Sequence, residues 1–263
     1  AASDVYKRQL FNLVTGALSR YRKSPTKTRA VLSFVSCYSL FMAQTPRERA
    51  REETMTRIIE LGRKQLANGG VEALNLRAIA RELGIVSSGI YRYVPDRAQL
   101  ITLLIVDAFD GLDNAVAQRD DARAQPRERF VEVVSAMRRW ALDFPQRWGL
   151  IYGTPIVGYR APAAETVVAG TKVSRRIAAL LEGASSVPLR RRSPQFAADL
   201  AAAAQDIGAE LTEDAMEMAL EAWMRIIGLI NAEVFGYLGR ETLSDYDEFH
   251  TRAVSRLATD LGL

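Results

Sequence analysis

The residues whose types and spacing could do chemistry in this chain lie in one stretch, Leu76 to Leu100, reading LRAIARELGIVSSGIYRYVPDRAQL. Ser87 and Ser88 place hydroxyls where a helix is expected to start, and free N–H groups and the helix dipole there suit phosphate or base-edge contact. Arg92 can donate two parallel bonds to guanine O6 and N7. Tyr91 and Tyr93 can reach phosphate oxygens through their hydroxyls, and Tyr91 can touch a thymine methyl; packing against the first helix is the alternative for either ring. A nucleophile with a base partner is missing. The chain has one Cys, Cys37, and one His, His250, which argues against a histidine-dependent triad, a His-cluster or Cys-based metal site and an internal disulfide. There is no GxGxxG and no GxxxxGK[ST]. No cofactor, no metal and no enzymatic activity are expected, and His250 is expected at a surface or interface.

Two short helices must position these side chains. Leu76, Ile79, Ala80 and Leu83 repeat with helical spacing, and Gly84 stands where a left-handed C-cap is needed. Ala80 is small where a second helix must cross closely. Ile90 lies on the inner face of that second helix, one turn above Tyr93 and Val94. Asn75 can cap the first of the two helices. Helix, tight glycine turn and helix together form the unit that lays its second helix in the major groove of DNA; an ordinary helical corner in an all-α protein is the other reading of the spacing. Pro95-Asp96 then breaks the chain and caps a long helix running to about Ala117.

These residues resemble the TetR family of transcriptional regulators. The resemblance rests on the helix Thr54–Asn68 ending in Gly69-Gly70, then Leu76-Arg77-Ala78-Ile79-Ala80, Gly84-Ile85-Val86-Ser87-Ser88, Ile90-Tyr91-Arg92-Tyr93-Val94, and Arg97 to Leu100. It departs at Val94, where most members have Phe, and at Arg97, where most have Lys; both substitutions keep the chemistry. The resemblance implies an all-α fold: a three-helix DNA-binding head over 46–95, joined by a long helix to a ligand-binding and dimerisation domain over 96–263. It implies DNA contacts from Arg47, Arg49, Asn75, Ser87, Ser88, Tyr91, Arg92, Tyr93 and Arg97. For Arg47 and Arg49, a solvated face balanced by Glu48, Glu52 and Glu53 is an equal alternative.

The rest of the chain is consistent with one large or two small domains: 263 residues, 48% hydrophobic and 25% charged, with a net charge of +4 that permits a polyanionic partner without requiring one. Residues 1–41 do not fit the remainder. Met42 reads as the natural start, which makes residues 1–41 a non-native or disordered extension. Their apolar run Ala30–Ala43 is shorter than the ~20 residues a spanning helix needs, so no membrane is expected, although a membrane-associated segment is a minor alternative. Gln118–Gln125 reads as a loop, with Pro126 opening the next helix. Phe130, Val133, Val134, Met137, Trp140, Ala141 and Phe144 give that helix a clear period.

DFPQRWGLIYGTPIVGYRAP follows, interrupted by Pro145, Pro155 and Pro162. With AWMRIIGLINAEVFGYLG it resembles the C-terminal domain of a TetR subgroup, the WHG type. A helix is expected over Thr166–Glu182, a basic loop over Gly183–Pro194, a long helix carrying Met216 to Val234, and a last helix opened by a Ser244/Asp247 capping box. Candidates to line an apolar effector pocket are Trp140, Phe144, Trp148, Tyr152, Met216 and Trp223, with plain core as the alternative for each. Candidates for the dimer interface are Ile227, Ile230, Val234, Phe249, Leu257 and Leu261, with the chain's own core as the alternative for both seams. The expected whole is a cytoplasmic, nucleoid-associated homodimer that binds a palindromic operator. It would most often be a repressor, released by a small, largely apolar effector of unknown identity.

Overall fold

The computed structural model describes residues 45–182, 192–239 and 242–263. The extension at 1–41 and most of the basic loop 183–194 lie outside the described residues. Every described element is helical. In chain order they are α1 (Pro46–Gly69), a 3-10 turn (Val71–Ala73), α2 (Leu76–Glu82), a second 3-10 turn (Ile90–Arg92), α3 (Arg97–Ala117), α4 (Pro126–Asp143), α5 (Pro145–Tyr152), α6 (Ala163–Gly170), α7 (Lys172–Ala179), α8 (Pro194–Ile207), α9 (Glu213–Val234) and α10 (Tyr246–Asp260). Among the described residues no helix is long and apolar enough to cross a membrane.

The chain divides into two compact units, Ala1–Met55 and Thr56–Leu263. In the first, the described part is the opening of α1. Thr45 Oγ1 accepts from Glu48 N at 3.2 Å while Glu48 Oε2 accepts from Thr45 N at 2.8 Å, a reciprocal capping box that satisfies two orphan N–H groups of the helix start.

The second unit is built around α3. Its apolar residues are buried along its whole length, from Leu100 and Leu104 to Ala108, Leu112 and Val116, and it packs against α4, α5, α6 and α7. Near its start it meets α1, where a methyl group added at Gly62 would sit 3.2 Å from Leu104. A second layer is formed by α9, which packs on α4, α7, α8 and α10. Phe130, Met137, Trp148, Ile177, Ala222, Ile226, Ile230, Val254 and Leu257 join these layers into one core.

Local signals place most element ends. Asp96 accepts from Gln99 N at 2.8 Å and opens α3; Pro126 stands in the first turn of α4. Two expectations change. The helix expected over Thr166–Glu182 is two short helices, broken between Gly170 and Lys172 where α6 presses on α3: a Cβ at Gly170 would lie 3.3 Å from the Phe109 ring. The last helix is capped by Asp245, which accepts from Glu248 N at 2.8 Å, rather than by Ser244.

Candidate nucleic-acid interface and ligand cleft

Asn75 caps α2 through its side chain, accepting from Ala78 N at 3.1 Å. Gln65 of α1 holds the capping residue in turn: its Oε1 accepts from Asn75 N at 2.9 Å. At the other end Ile85 N donates to Ala80 O and Gly84 N to Arg81 O, with Gly84 at φ 69°. This is the Schellman arrangement, and it requires a left-handed residue at that point.

The segment after Gly84 differs from expectation. Ser87 does not open an α-helix. The chain makes successive turns, with Gly89 N donating to Val86 O at 2.7 Å, and then the single 3-10 turn Ile90–Arg92. The physical reason is local. Two serines and a glycine have little helix propensity. Pro95 disfavours α geometry at Val94, and few residues separate Gly84 from that proline. Packing still follows the expected pattern: Ile90 and Val94 are fully buried, whereas Ser87, Ser88, Tyr91 and Arg92 are exposed and Tyr93 is half-buried. Val86, 72% exposed, stands beside them and was not anticipated; an apolar residue directly before the Ser-Ser pair was its signal.

Arg97 is turned toward the protein. Its Nη2 donates to Val71 O at 2.8 Å and lies 3.4 Å from Glu72 Oε2, tying the first 3-10 turn to the start of α3. Arg47 and Arg49 are exposed near the beginning of α1.

Deeper along α3, Asp107 gathers two guanidinium groups. Arg63 of α1 donates to both its carboxylate oxygens, and Arg147 of α5 donates to its carboxylate and to its main-chain carbonyl. Arg147 also lies over the rings of Trp140 and Phe144, 5.1 and 5.3 Å from their centroids. Burial lowers the pKa of Arg147, and the Asp107 carboxylate opposes that shift.

A half-open cleft of about 560 Å³ lies beside α3. Its walls are Ile105 and Phe109 of α3, the end of α5, the irregular segment Gly153–Ala161, and α6 up to Thr171. The size falls within the usual range for small-molecule sites. None of the six residues expected to line a pocket faces this cleft. Trp140, Trp148, Tyr152 and Trp223 form a chain of edge-on and tilted ring contacts in the core, with centroid separations of 6.5, 4.6 and 5.9 Å along it. Trp148 Nε1 donates to Asn231 Oδ1 at 2.7 Å, which holds α5 on α9. Burial raises the Tyr152 hydroxyl pKa. Met216 packs in a separate small cluster with Leu200 and Ala204, and Phe144 is 43% exposed. The cleft is made instead from the proline- and glycine-interrupted stretch, whose broken periodicity was the available signal.

The interface candidates fall in three settings within the single chain. Ile230, Leu257 and Leu261 are buried in the chain's own core, and Ile227 and Val234 pack against it; Phe249 is half-buried. Along α9 and just beyond it, Leu220, Met224, Phe235, Tyr237 and Leu238 are the large hydrophobic side chains left exposed. His250, expected at a surface or interface, is buried within the chain, with Nε2 lacking a hydrogen-bond partner. Burial first, and then Arg138, lower its pKa to about 4 against the pull of Glu233 and Asp247. Arg192, from the basic loop, pairs with Asp214 and Glu217 of α9.

Comparison with known proteins places this arrangement. Residues 58–103 match the family described as bacterial regulatory proteins, tetR family, and residues 130–257 match a tetracyclin repressor-like C-terminal domain. The HTH-type transcriptional regulators Rv1816 of Mycobacterium tuberculosis and Mb1846 of Mycobacterium bovis are each 38% identical over 206 residues, covering 76% of this chain and 88% of theirs. The crystal structure of a regulatory protein, SCO4313, aligns with a TM-score of 0.67 at 30% identity, over 81% of this chain and 98% of that one. A structure of unknown function from Rhodococcus sp. RHA1 shares the fold, with a TM-score of 0.58 at 22% identity over 80% of this chain and 96% of its own. The matched families and named regulators act in transcription rather than as enzymes.

Proposed function

The chain belongs to the TetR family and is a DNA-binding transcriptional regulator, and from that premise we propose that it is a homodimeric repressor. In this reading it leaves a near-palindromic operator when a small, largely apolar molecule enters the cleft beside α3. The observation that carries the reading is the position of α3. One end follows the segment that exposes Ser87, Ser88, Tyr91 and Arg92, and farther along Ile105 and Phe109 wall the cleft. A ligand that fits the cleft in only one tilt of α3 changes the separation of two heads in a dimer. It must bind the two arrangements with different affinity, because equal binding shifts nothing.

Ser87, Ser88, Tyr91 and Arg92 supply the groove contacts in this proposal, with Val86 available for a thymine methyl. Tyr93, Arg47 and Arg49 are assigned to the DNA backbone. Asn75 and Arg97 position the head, since their polar groups are already engaged within the protein. The exposed stripe Leu220–Met224 on α9, continued by Phe235 and Leu238, supports a two-fold contact between copies. The setting is the bacterial cytoplasm, at the nucleoid.

The test is binding of the full chain to the duplex upstream of its own coding region and to a random duplex, at two salt concentrations. Tight binding that prefers the upstream duplex and weakens with salt is expected. Equal affinity for both duplexes would overturn sequence-specific repression at that site.

A further inference from the structure

The cleft's hydrogen-bonding groups define the class of molecule it takes. Thr102 Oγ1 donates its one proton to Ala98 O at 3.1 Å. The 2.8 Å contact between Thr102 Oγ1 and Tyr159 Oη therefore has Tyr159 as donor. Thr166 donates to Pro162 O at 3.0 Å and Thr171 to Val167 O at 2.9 Å. Three of the lining hydroxyls have thus committed their protons inside the protein and can only accept. Thr154 and the guanidinium of Arg160 remain as side-chain donors. Among the described residues that line the cleft, Arg160 alone carries a charge, and it forms no ion pair or hydrogen bond with a described residue. Glu165, beside Thr166, is outside the lining and is held by Gln99 at 3.0 Å.

A net positive cleft with apolar walls and accepting hydroxyls selects against cations. Resting on the effector reading above, we propose that the ligand is a hydroxylated apolar carboxylic acid. Its carboxylate pairs with Arg160 at the mouth, its ring or alicyclic body lies against Ile105 and Phe109, and its hydroxyl donates to Tyr159 or Thr171. Arg recognises carboxylate through charge-assisted, two-pronged bonds.

Three probes sharing one apolar body test this: 6-hydroxy-2-naphthoate, 2-naphthoate and 2-naphthylmethylammonium, titrated calorimetrically into the full chain. The expected order of affinity is hydroxy acid, then acid, then ammonium, with about a tenfold gap between acid and ammonium. Arg160→Met should close that gap, Tyr159→Phe should shrink the advantage of the hydroxy acid, and Ala161→Trp, which fills the cleft, should weaken all three. An ammonium probe that binds as tightly as the acid, or a gap that survives Arg160→Met, overturns the proposed class while leaving the cleft as the ligand site. No binding by any probe, or equal binding to the Ala161→Trp variant, overturns the cleft reading itself.

Discussion

Arg147 of α5 donates twice to Asp107 of α3, to the main-chain carbonyl at 2.9 Å and to the carboxylate at 3.1 Å. The same carboxylate receives Arg63 from α1. One acidic residue therefore joins a helix of the head, the long helix and the helix that leads into the cleft. Arg147 and Asp107 are both largely shielded from water, whereas Arg63 is half exposed. The cost of breaking the network should follow that difference.

Asp107→Asn leaves the Arg147 guanidinium without its counter-charge in a shielded site. A loss of about 2–4 kcal/mol is expected in denaturant unfolding, because an uncompensated charge stays behind. Arg63→Ala removes the solvated partner and should cost less than about 1 kcal/mol. Equal costs for the two variants would mean that Asp107 acts on Arg63 alone.

Gly111 lets Arg147 approach α3. A Cβ there would sit 2.5 Å from Arg147 Nη2, an atom already tied to Asp107. Gly111→Ala should cost about 1–3 kcal/mol in the parent protein, as overpacking does. In an Arg147→Ala background it should cost almost nothing. Additive costs in that double-mutant cycle would place the strain elsewhere.

His250 makes stability depend on pH. Its ordinary pKa of 6.5 falls to about 4 in the folded chain, so the unfolded chain binds the proton more readily. Its contribution is present in full above pH 6.5 and is lost as pH falls toward about 4, a change on the order of 3 kcal/mol. His250→Phe should flatten the unfolding free energy between those limits. A profile unchanged by the substitution would assign the acid sensitivity to carboxylates such as Asp120, whose pKa is lowered by Arg129.

At the head, Arg92→Ala should weaken binding to the preferred duplex by about 1–3 kcal/mol and leave random duplex nearly unaffected, if Arg92 reads a base. The readout is fluorescence anisotropy at fixed salt. Equal loss on both duplexes would make Arg92 a phosphate contact.

The exposed stripe on α9 predicts the effect of Met224→Glu. Met224 is 65% exposed in the single chain, so the substitution should leave folding intact. It should convert a dimer to monomer in sedimentation velocity by burying a charge against an apolar partner face. A variant that remains dimeric would move the interface to another face.

What the amino-acid sequence determined by itself is mostly local. Asn75, Gly84 and Asp96 act through hydrogen bonds to residues a few positions away, and Pro126 through its fixed φ, so their types and offsets suffice to place the helix ends. The buried face of the head was legible for the same reason: Ile79 and Ala80 share one face of α2, and Ile90 and Val94, four residues apart, share one face of the segment after the glycine turn. Order and spacing of these residues also carried the family resemblance, and with it the DNA-binding role.

Only the tertiary structure decided which apolar faces meet. Trp140, Trp148 and Tyr152 have the periodicity of pocket and core alike; packing against α9 makes them core, and the broken segment around Tyr159 makes the cleft. Leu257 and Ile230 read equally well as interface or interior until α4, α9 and α10 close on them. His250 is buried, and Arg97 is tied to Val71, for the same reason. Their surroundings come from residues far away in the chain, and periodicity along one helix shows that a face is apolar without showing which partner covers it.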